Sequence, residues 1–338
     1  MRNKSVLFII IAIIFLNNCE QEKPYAIGYE EKVVVLVEED MWEEVEVLLN
    51  THVGKDIKTP ISEQWYYFHK ATPEQFVAQK KMKNLMIVSD LRPHSSLTKF
   101  IEQMIPDSTL LKSQKNKRNI IKIENPFARE QSLVVVLGEN RQRTYDKIFY
   151  EGGKILKFLD DVDFKRQTRF LYRIGEQKEL AESYFKTHGW YMRVMHDYIE
   201  IENKPDEHFL WIGRDIPYRW LMVYWENVND AVNQDELAHK MMHKVMGRLV
   251  DDIEISPRSP ISSVEQWMGS YATTKYSGLW QHRKETKGGP FIAYSFYEPV
   301  QNRMYLITGL VFAAGQKKLP LIRQLDVIIN TFNTAGKE

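Results

Sequence analysis

The chain has 338 residues, 46 basic and 45 acidic side chains, a net charge of +1 and a single cysteine. Charge this evenly balanced excludes a chain-wide field that would draw in nucleic acid or an anionic surface. One cysteine excludes an intramolecular disulfide, so stability must come from an apolar core, which a chain of this length can build.

At the N-terminus, Arg2 and Lys4 precede an apolar run from Val6 to Leu16, followed by Asn17, Asn18 and Cys19. The run is about eleven residues against the roughly 20 that a spanning helix needs, so it reads as the h-region of a secretory signal. Ending on cysteine, it has the layout of a bacterial lipoprotein signal. Residues 1–18 would be removed, and the Cys19 thiol would carry the lipid and take up palmitate. The competing reading is an uncleaved anchor or a buried helix, and two asparagines stand where small residues are usual before such a cysteine. Lipidation would consume the one thiol. More than one acyl chain, at about 0.8 kcal/mol per buried methylene, gives stable anchoring. Residues 19–28 are expected to be a polar tether. The implied place is the cell envelope, on the outer membrane facing the periplasm, with surface display also open.

Residues 29–174 read as a small α/β layer domain. Val33–Val37 is an unbroken apolar run, the mark of a strand buried on both faces. Asp40 begins a helix to about Leu49, with Trp42, Val45 and Leu49 on one side. Trp65–Phe68 reads as a short strand, and Thr72-Pro73-Glu74 as a helix start with proline in the first turn. Leu85–Val88 and Leu133–Leu137 are further strands. A helix follows, carrying Tyr145, Ile148, Phe149, Ile155, Leu156 and Leu159 at helical spacing, with an interruption expected at Gly152-Gly153. Strands alternating with helices argue for an α/β layer.

Residues 175–338 hold six of the eight tryptophans. A helix near Glu179–Lys186 is followed by expected strands at Trp190–Ile201, Phe209–Ile212 and Trp220–Trp225. Gln234–Val250 reads as a helix, then Phe291–Tyr297 and Met304–Phe312 as long strands. Leu321, Ile322, Leu325, Ile328, Ile329 and Phe332 form a closing helical stripe. Grouped strands between helices suggest an antiparallel α+β sheet domain, with an element order similar to the PsbP and Mog1 type of sandwich.

Five segments of this half occur in a familiar order: Phe209–Ile212, Gly278-Leu279-Trp280, Gly288-Gly289-Pro290-Phe291, Gly309–Ala313 and Arg323-Gln324-Leu325-Asp326. Met41-Trp42, Asn84–Val88 and Gln131–Val136 fit as well. The chain thereby resembles an uncharacterised lipoprotein family of Bacteroidota known as domain of unknown function 4837, across its mature length and most clearly in the second half. The resemblance implies a lipid-anchored envelope protein and supplies no catalytic residue, cofactor or substrate.

Several constellations invite a chemical reading. Gly288-Gly289-Pro290-Phe291 could be a bare-backbone binding loop beside Trp280, or a tight turn into a strand. No Lys-Ser or Lys-Thr follows to make it a phosphate loop. His239 and His243 stand four apart, but Lys240 lies where a zinc protease needs its glutamate, so surface histidines are the plainer account. Asp160, Asp161 and Asp163, and Asp251, Asp252 and Glu254, lack the spacing of a calcium loop and read as solvated helix ends. Lys112, Lys115, Lys117, Arg118 and Lys122 lack the interleaved aromatics of single-strand binders and read as a solvated loop. His282 and Glu285, or His196-Asp197, could serve acid–base chemistry only beside a nucleophile, and Ser270 has no Gly-x-Ser-x-Gly elbow around it. The expectation is a non-catalytic module for an envelope protein or small ligand, with no metal, cofactor or nucleic acid. It predicts an aromatic patch near Trp280 and Phe291. The alternative is an envelope hydrolase or transferase using Glu285 with His282.

Overall fold

The computed structural model describes residues 22–338, apart from 55, 58, 107, 109, 111–119, 229–232, 251 and 337–338. Cys19, the expected signal segment and most of the expected basic loop at 112–122 therefore lie outside the described residues. The described residues form two compact units, one of residues 22–46 and 68–159, the other of residues 47–67 and 160–336.

Strands are numbered along the chain. The first unit holds β1 (Lys32–Val37), β4 (Tyr67–Ala71), β5 (Asn84–Ser89), β6 (Ile121–Glu124) and β7 (Ser132–Leu137), in the sheet order β4-β1-β5-β7-β6. β1, β5 and β7 run parallel, and β6 is antiparallel to β7. The apolar runs at Val33–Val37 and Leu133–Leu137 are buried on both faces, as all-aliphatic parallel strands must be. Val34, Leu36, Leu85, Ile87, Leu133 and Val135 pack with Phe76, Leu97 and Ile101. α1 (Trp42–His52) follows β1. α2 (Pro73–Ala78) starts in a capping box of Thr72 and Gln75, and α3 (Ser96–Met104) is capped by Ser95.

α4 (Arg141–Tyr172) runs unbroken for 32 residues, so Gly152-Gly153 does not interrupt it. Two glycines weaken a helix by about 1 kcal/mol each relative to alanine. Ile148, Ile155 and Leu159, buried on either side of them, offset that cost.

The second unit has a short hairpin of β2 (Asp56–Ile57) and β3 (Glu63–Gln64), and α5 (Lys178–His188), which ends on Gly189 in the left-handed conformation. Its main sheet contains β8 (Ile199–Lys204), β9 (Phe209–Arg214), β10 (Tyr218–Asn227), β11 (Ile253–Ile255), β12 (Ser262–Met268), β13 (Tyr271–His282), β14 (Gly288–Glu298) and β15 (Arg303–Phe312). The order is β11-β13-β14-β15-β10-β9-β8, with β12 also on β13, and every pairing is antiparallel. α6 (Gln234–Lys244) and α7 (Leu319–Ile329) complete the unit. On one face Leu221, Val223, Ile307 and Val311 pack with Tyr184 of α5 and Ile322, Leu325 and Ile328 of α7. On the other, Met222, Leu306, Phe291 and Trp280 pack with Ala238, Met241 and Met242 of α6. The element order expected for an α+β sheet domain is thus present.

Three local expectations change. Trp190–Tyr198 is irregular chain with only isolated bridges, and the strand begins at Ile199. Its aromatic and branched residues are buried against helices and strands without joining a ladder. β11, β12 and β13 were not legible: β12 is polar and exposed, and β13 alternates small, polar and aromatic residues. Residues 23–28, expected as tether, are hydrogen-bonded along the first unit, with Ala26 N–H donating to Arg129 O and Ile27 N–H to Lys81 O, both at 2.9 Å.

Candidate functional site

Gly288–Phe291 is not a loop. It opens β14, where Gly288 to Phe291 pair with Gln281 to Gly278 of β13 and Phe291 also pairs with Leu310 of β15. The turn lies just before it, in residues 283–287. Trp280 is 2% exposed and Phe291 1%, so neither offers a surface. The glycines explain the motif. A Cβ on Gly278 would stand 2.8 Å from Phe291 Cε1, so the Phe291 ring needs that position bare. A Cβ on Gly289 would run into the Val311 carbonyl and crowd Trp280 Nε1. With no side chain there, the indole reaches across β14 and donates to Val311 O on β15 at 3.1 Å. Half-buried rings do continue the row: Trp220 lies 5.8 Å from Trp280, and Trp211 and Tyr218 lie 5.6 and 5.7 Å from Trp220.

The Arg323–Asp326 motif on α7 sends each side chain to a different partner. Arg323 is buried, donating to Asp163 Oδ2 at 2.5 Å and to Trp65 O at 2.6 Å, with its guanidinium 4.3 Å from the Trp65 ring centre. Gln324 accepts from Arg219. Leu325 is core. Asp326 accepts from Lys275 Nζ at 2.7 Å and from the Tyr294 hydroxyl. Burial lowers the Lys275 pKa, but Asp326 and Tyr294 outweigh it and the net shift is upward, so the lysine is a cation and no nucleophile. Burial, then Asp326, pushes the Tyr294 hydroxyl up to about 12.

The acidic group at 160–163 is likewise not a solvated helix end. It lies inside α4, where Asp160 accepts from Trp65 Nε1 at 2.6 Å and Tyr66 OH at 2.8 Å while Asp163 holds Arg323. Burial, then Asp160, raises the Tyr66 pKa well above its usual range. Asp252 and Glu254 pair at the surface with Lys284 and Arg283.

His239 and His243 are exposed on α6. His196-Asp197 is a turn, not strand, with Asp197 held by Arg214. His282 and Glu285 share the turn before β14 but do different jobs. His282 Nδ1 accepts the Lys284 and Glu285 N–H groups at 3.2 and 3.1 Å, while the Glu285 carboxylate pairs with Lys287. Ser270 sits in the β12–β13 turn.

A concavity does occur elsewhere. The second half of α4 and the chain after α5 enclose a shallow groove of about 540 Å³, lined by Phe164, Lys165, Arg169, Tyr172, Arg173 and Arg193. Lys165 and Arg169 stand four apart on one face of α4, and Arg173 follows at the same spacing just past its last residue. The helix dipole favours cations in its last turn, which accounts for Arg169 but not for Lys165. Arg193 comes from the irregular segment, stacks 3.5 Å over the Tyr172 ring and bonds Glu176 at 2.5 Å. Burial, opposed by Arg193, raises the Tyr172 pKa. The cation stripe was readable as spacing; the arrival of Arg193 was not. The result is a groove with an aromatic wall and cationic side chains, Arg193 among them already paired with Glu176, a lining suited to an anion that also has apolar surface.

Residues 177–331 match the family described as Domain of unknown function (DUF4837), and residues 26–172 match a second, Domain of unknown function (DUF8532). The C-terminal part of the chain thus carries the domain its motifs resembled. The resemblance does not extend across the first half, which matches a different family. No curated protein matches the chain. Among solved structures it is similar to the Ran-binding protein Mog1p of Saccharomyces cerevisiae, at 10% identity and TM-score 0.31, over 44% of this chain and 91% of that one. It is similar to a Bacteroides thetaiotaomicron protein at 12% identity and TM-score 0.27, over 44% and 45%. It is similar also to LpqN of Mycobacterium tuberculosis, described as involved in cell envelope biogenesis, at 11% identity and TM-score 0.29, over 43% and 82%. Similarity at this level supports no inference about activity or partner.

Proposed function

We infer that this chain is a lipid-anchored protein of the cell envelope whose C-terminal unit is a non-catalytic binding module for an acidic amphiphile. The anchor reading rests on the leader ending at Cys19. No helix among the described residues is long and apolar enough to cross a membrane. The observation that carries the binding role is the groove: four cationic side chains around Phe164 and Tyr172. Charge-assisted bonds from arginines suit a phosphate or carboxylate, and the rings suit an attached chain or sugar face.

The test is purification from envelopes in mild detergent, followed by mass spectrometry of co-purifying acidic amphiphiles. Wild type should carry one, and an Arg169→Glu, Arg173→Glu double variant should lose most of it while keeping its unfolding midpoint. Equal loading of the two would refute the groove. Palmitate labelling of wild type, absent from Cys19→Ser, tests the anchor separately.

A further inference from the structure

The chain enters its first folded unit almost immediately after the expected lipid site. Glu22 pairs with Arg129, and Lys23 Nζ donates to Asn125 O at 2.8 Å and Pro126 O at 3.2 Å. Arg129 N–H donates to Pro24 O at 2.8 Å, and its guanidinium lies 4.0 Å over the Tyr25 ring centre. Isolated parallel bridges join Tyr25 to Arg129 and Ile27 to Met82. Only three chain steps separate Cys19 from Glu22, a reach of about 11 Å at full extension. A lipid on Cys19 would therefore hold this edge of the unit within about a Debye length of the headgroups.

The same edge has the chemistry of a membrane interface. Tyr25 and Ile27 stand two apart on extended backbone, which turns them to one side, and Tyr29 follows the bend at Gly28. They are 46%, 59% and 74% exposed. Lys23 precedes them in the chain, the Lys81 backbone bonds Ile27 and the Arg129 guanidinium covers Tyr25, while the acids Glu22 and Glu30 are paired with Arg129 and Lys83. Tyrosine favours the headgroup level, and basic side chains are drawn to an anionic surface.

We propose that the Tyr25–Ile27–Tyr29 face of the N-terminal unit rests on the anionic headgroup layer of the leaflet that holds the Cys19 lipid. This inference rests on the lipid-anchor reading and adds an orientation to it. The lipid then acts as a pin, and the aromatic and basic face fixes how the unit stands on the membrane.

The test uses the full lipidated chain, in which Cys19 is consumed, with one new cysteine carrying a fluorophore. Tyr29→Cys places the probe in the face. Gln142→Cys places it past the carboxyl ends of the parallel strands, about 20 Å away along the strand direction. The chains are reconstituted in vesicles of phosphatidylethanolamine and phosphatidylglycerol with brominated acyl chains. The probe at 29 should be quenched several-fold more than the probe at 142. Equal quenching in chains that carry palmitate and float with the vesicles would overturn the docking face and leave the anchor standing. Absence of palmitate on the chain would overturn both.

Discussion

In the N-terminal unit the central strands are aliphatic, and several buried polar groups turn to backbone. Asn84 Nδ2 donates to Glu30 O at 2.7 Å, Gln131 Nε2 to Lys80 O and Met82 O at 2.8 and 2.6 Å, and Lys147 Nζ to Leu137 O at 2.5 Å. In the C-terminal unit the sheet is aromatic, and several buried polar groups turn to other side chains: Arg323 to Asp163, Lys275 and Tyr294 to Asp326. A backbone partner cannot be lost by mutation, whereas a side-chain partner can. The second unit therefore puts more of its stability into pairs that must be kept or exchanged together.

The largest expected effect is at Trp280. Replacement by alanine removes a buried indole, for about 3–5 kcal/mol, and also leaves the Val311 carbonyl without its donor. Denaturant unfolding should show that loss; an unchanged midpoint would mean the ring is a surface element after all.

Next come the polar pairs, where the comparison can be broken directly. Arg323→Leu alone should cost about 3–5 kcal/mol, because buried Asp163 then keeps only its longer contact with Arg166 at 3.6 Å, and adding Asp163→Leu should restore part of it. Gln131→Ala in the other unit should cost only about 1–3 kcal/mol. Equal costs for Arg323→Leu and Gln131→Ala, or no rescue in the double variant, would erase the distinction.

The smallest effect is a pH dependence. His188 is buried, with Nε2 3.0 Å from Asn203 Oδ1 and its ring stacked on Trp190. Burial lowers its pKa, against upward contributions from Asn203 and Glu200; Arg303 and His208 add to the lowering. The fold thus keeps the ring neutral where the unfolded chain protonates it. Its contribution to stability is complete above about pH 6.5 and declines as pH falls below that value. His188→Gln should flatten that part of the stability curve.

The aliphatic runs at Val33–Val37, Leu85–Val88 and Leu133–Leu137 announce their strands because burial on both faces leaves no other composition. The Gly-Leu-Trp and Gly-Gly-Pro-Phe motifs announce a special place but not its nature. In sequence, Gly-Gly-Pro has the local chemistry of a turn, and only β13 and β15 on either side make it a strand. The groove was half legible. Lys165, Arg169 and Arg173 repeat at helical spacing, yet Arg193 joins them through the packing of an irregular segment.

By itself the sequence determined two kinds of sheet and the helical stripe that closes the chain, because these depend on local periodicity and composition. Tertiary structure alone decided that the motif aromatics are core, that Asp163 and Arg323 meet across 160 positions, and that residues 23–28 lie along the first unit. Those outcomes depend on which distant backbone or charge arrives at a given side chain, and nothing in the local order of residues specifies that.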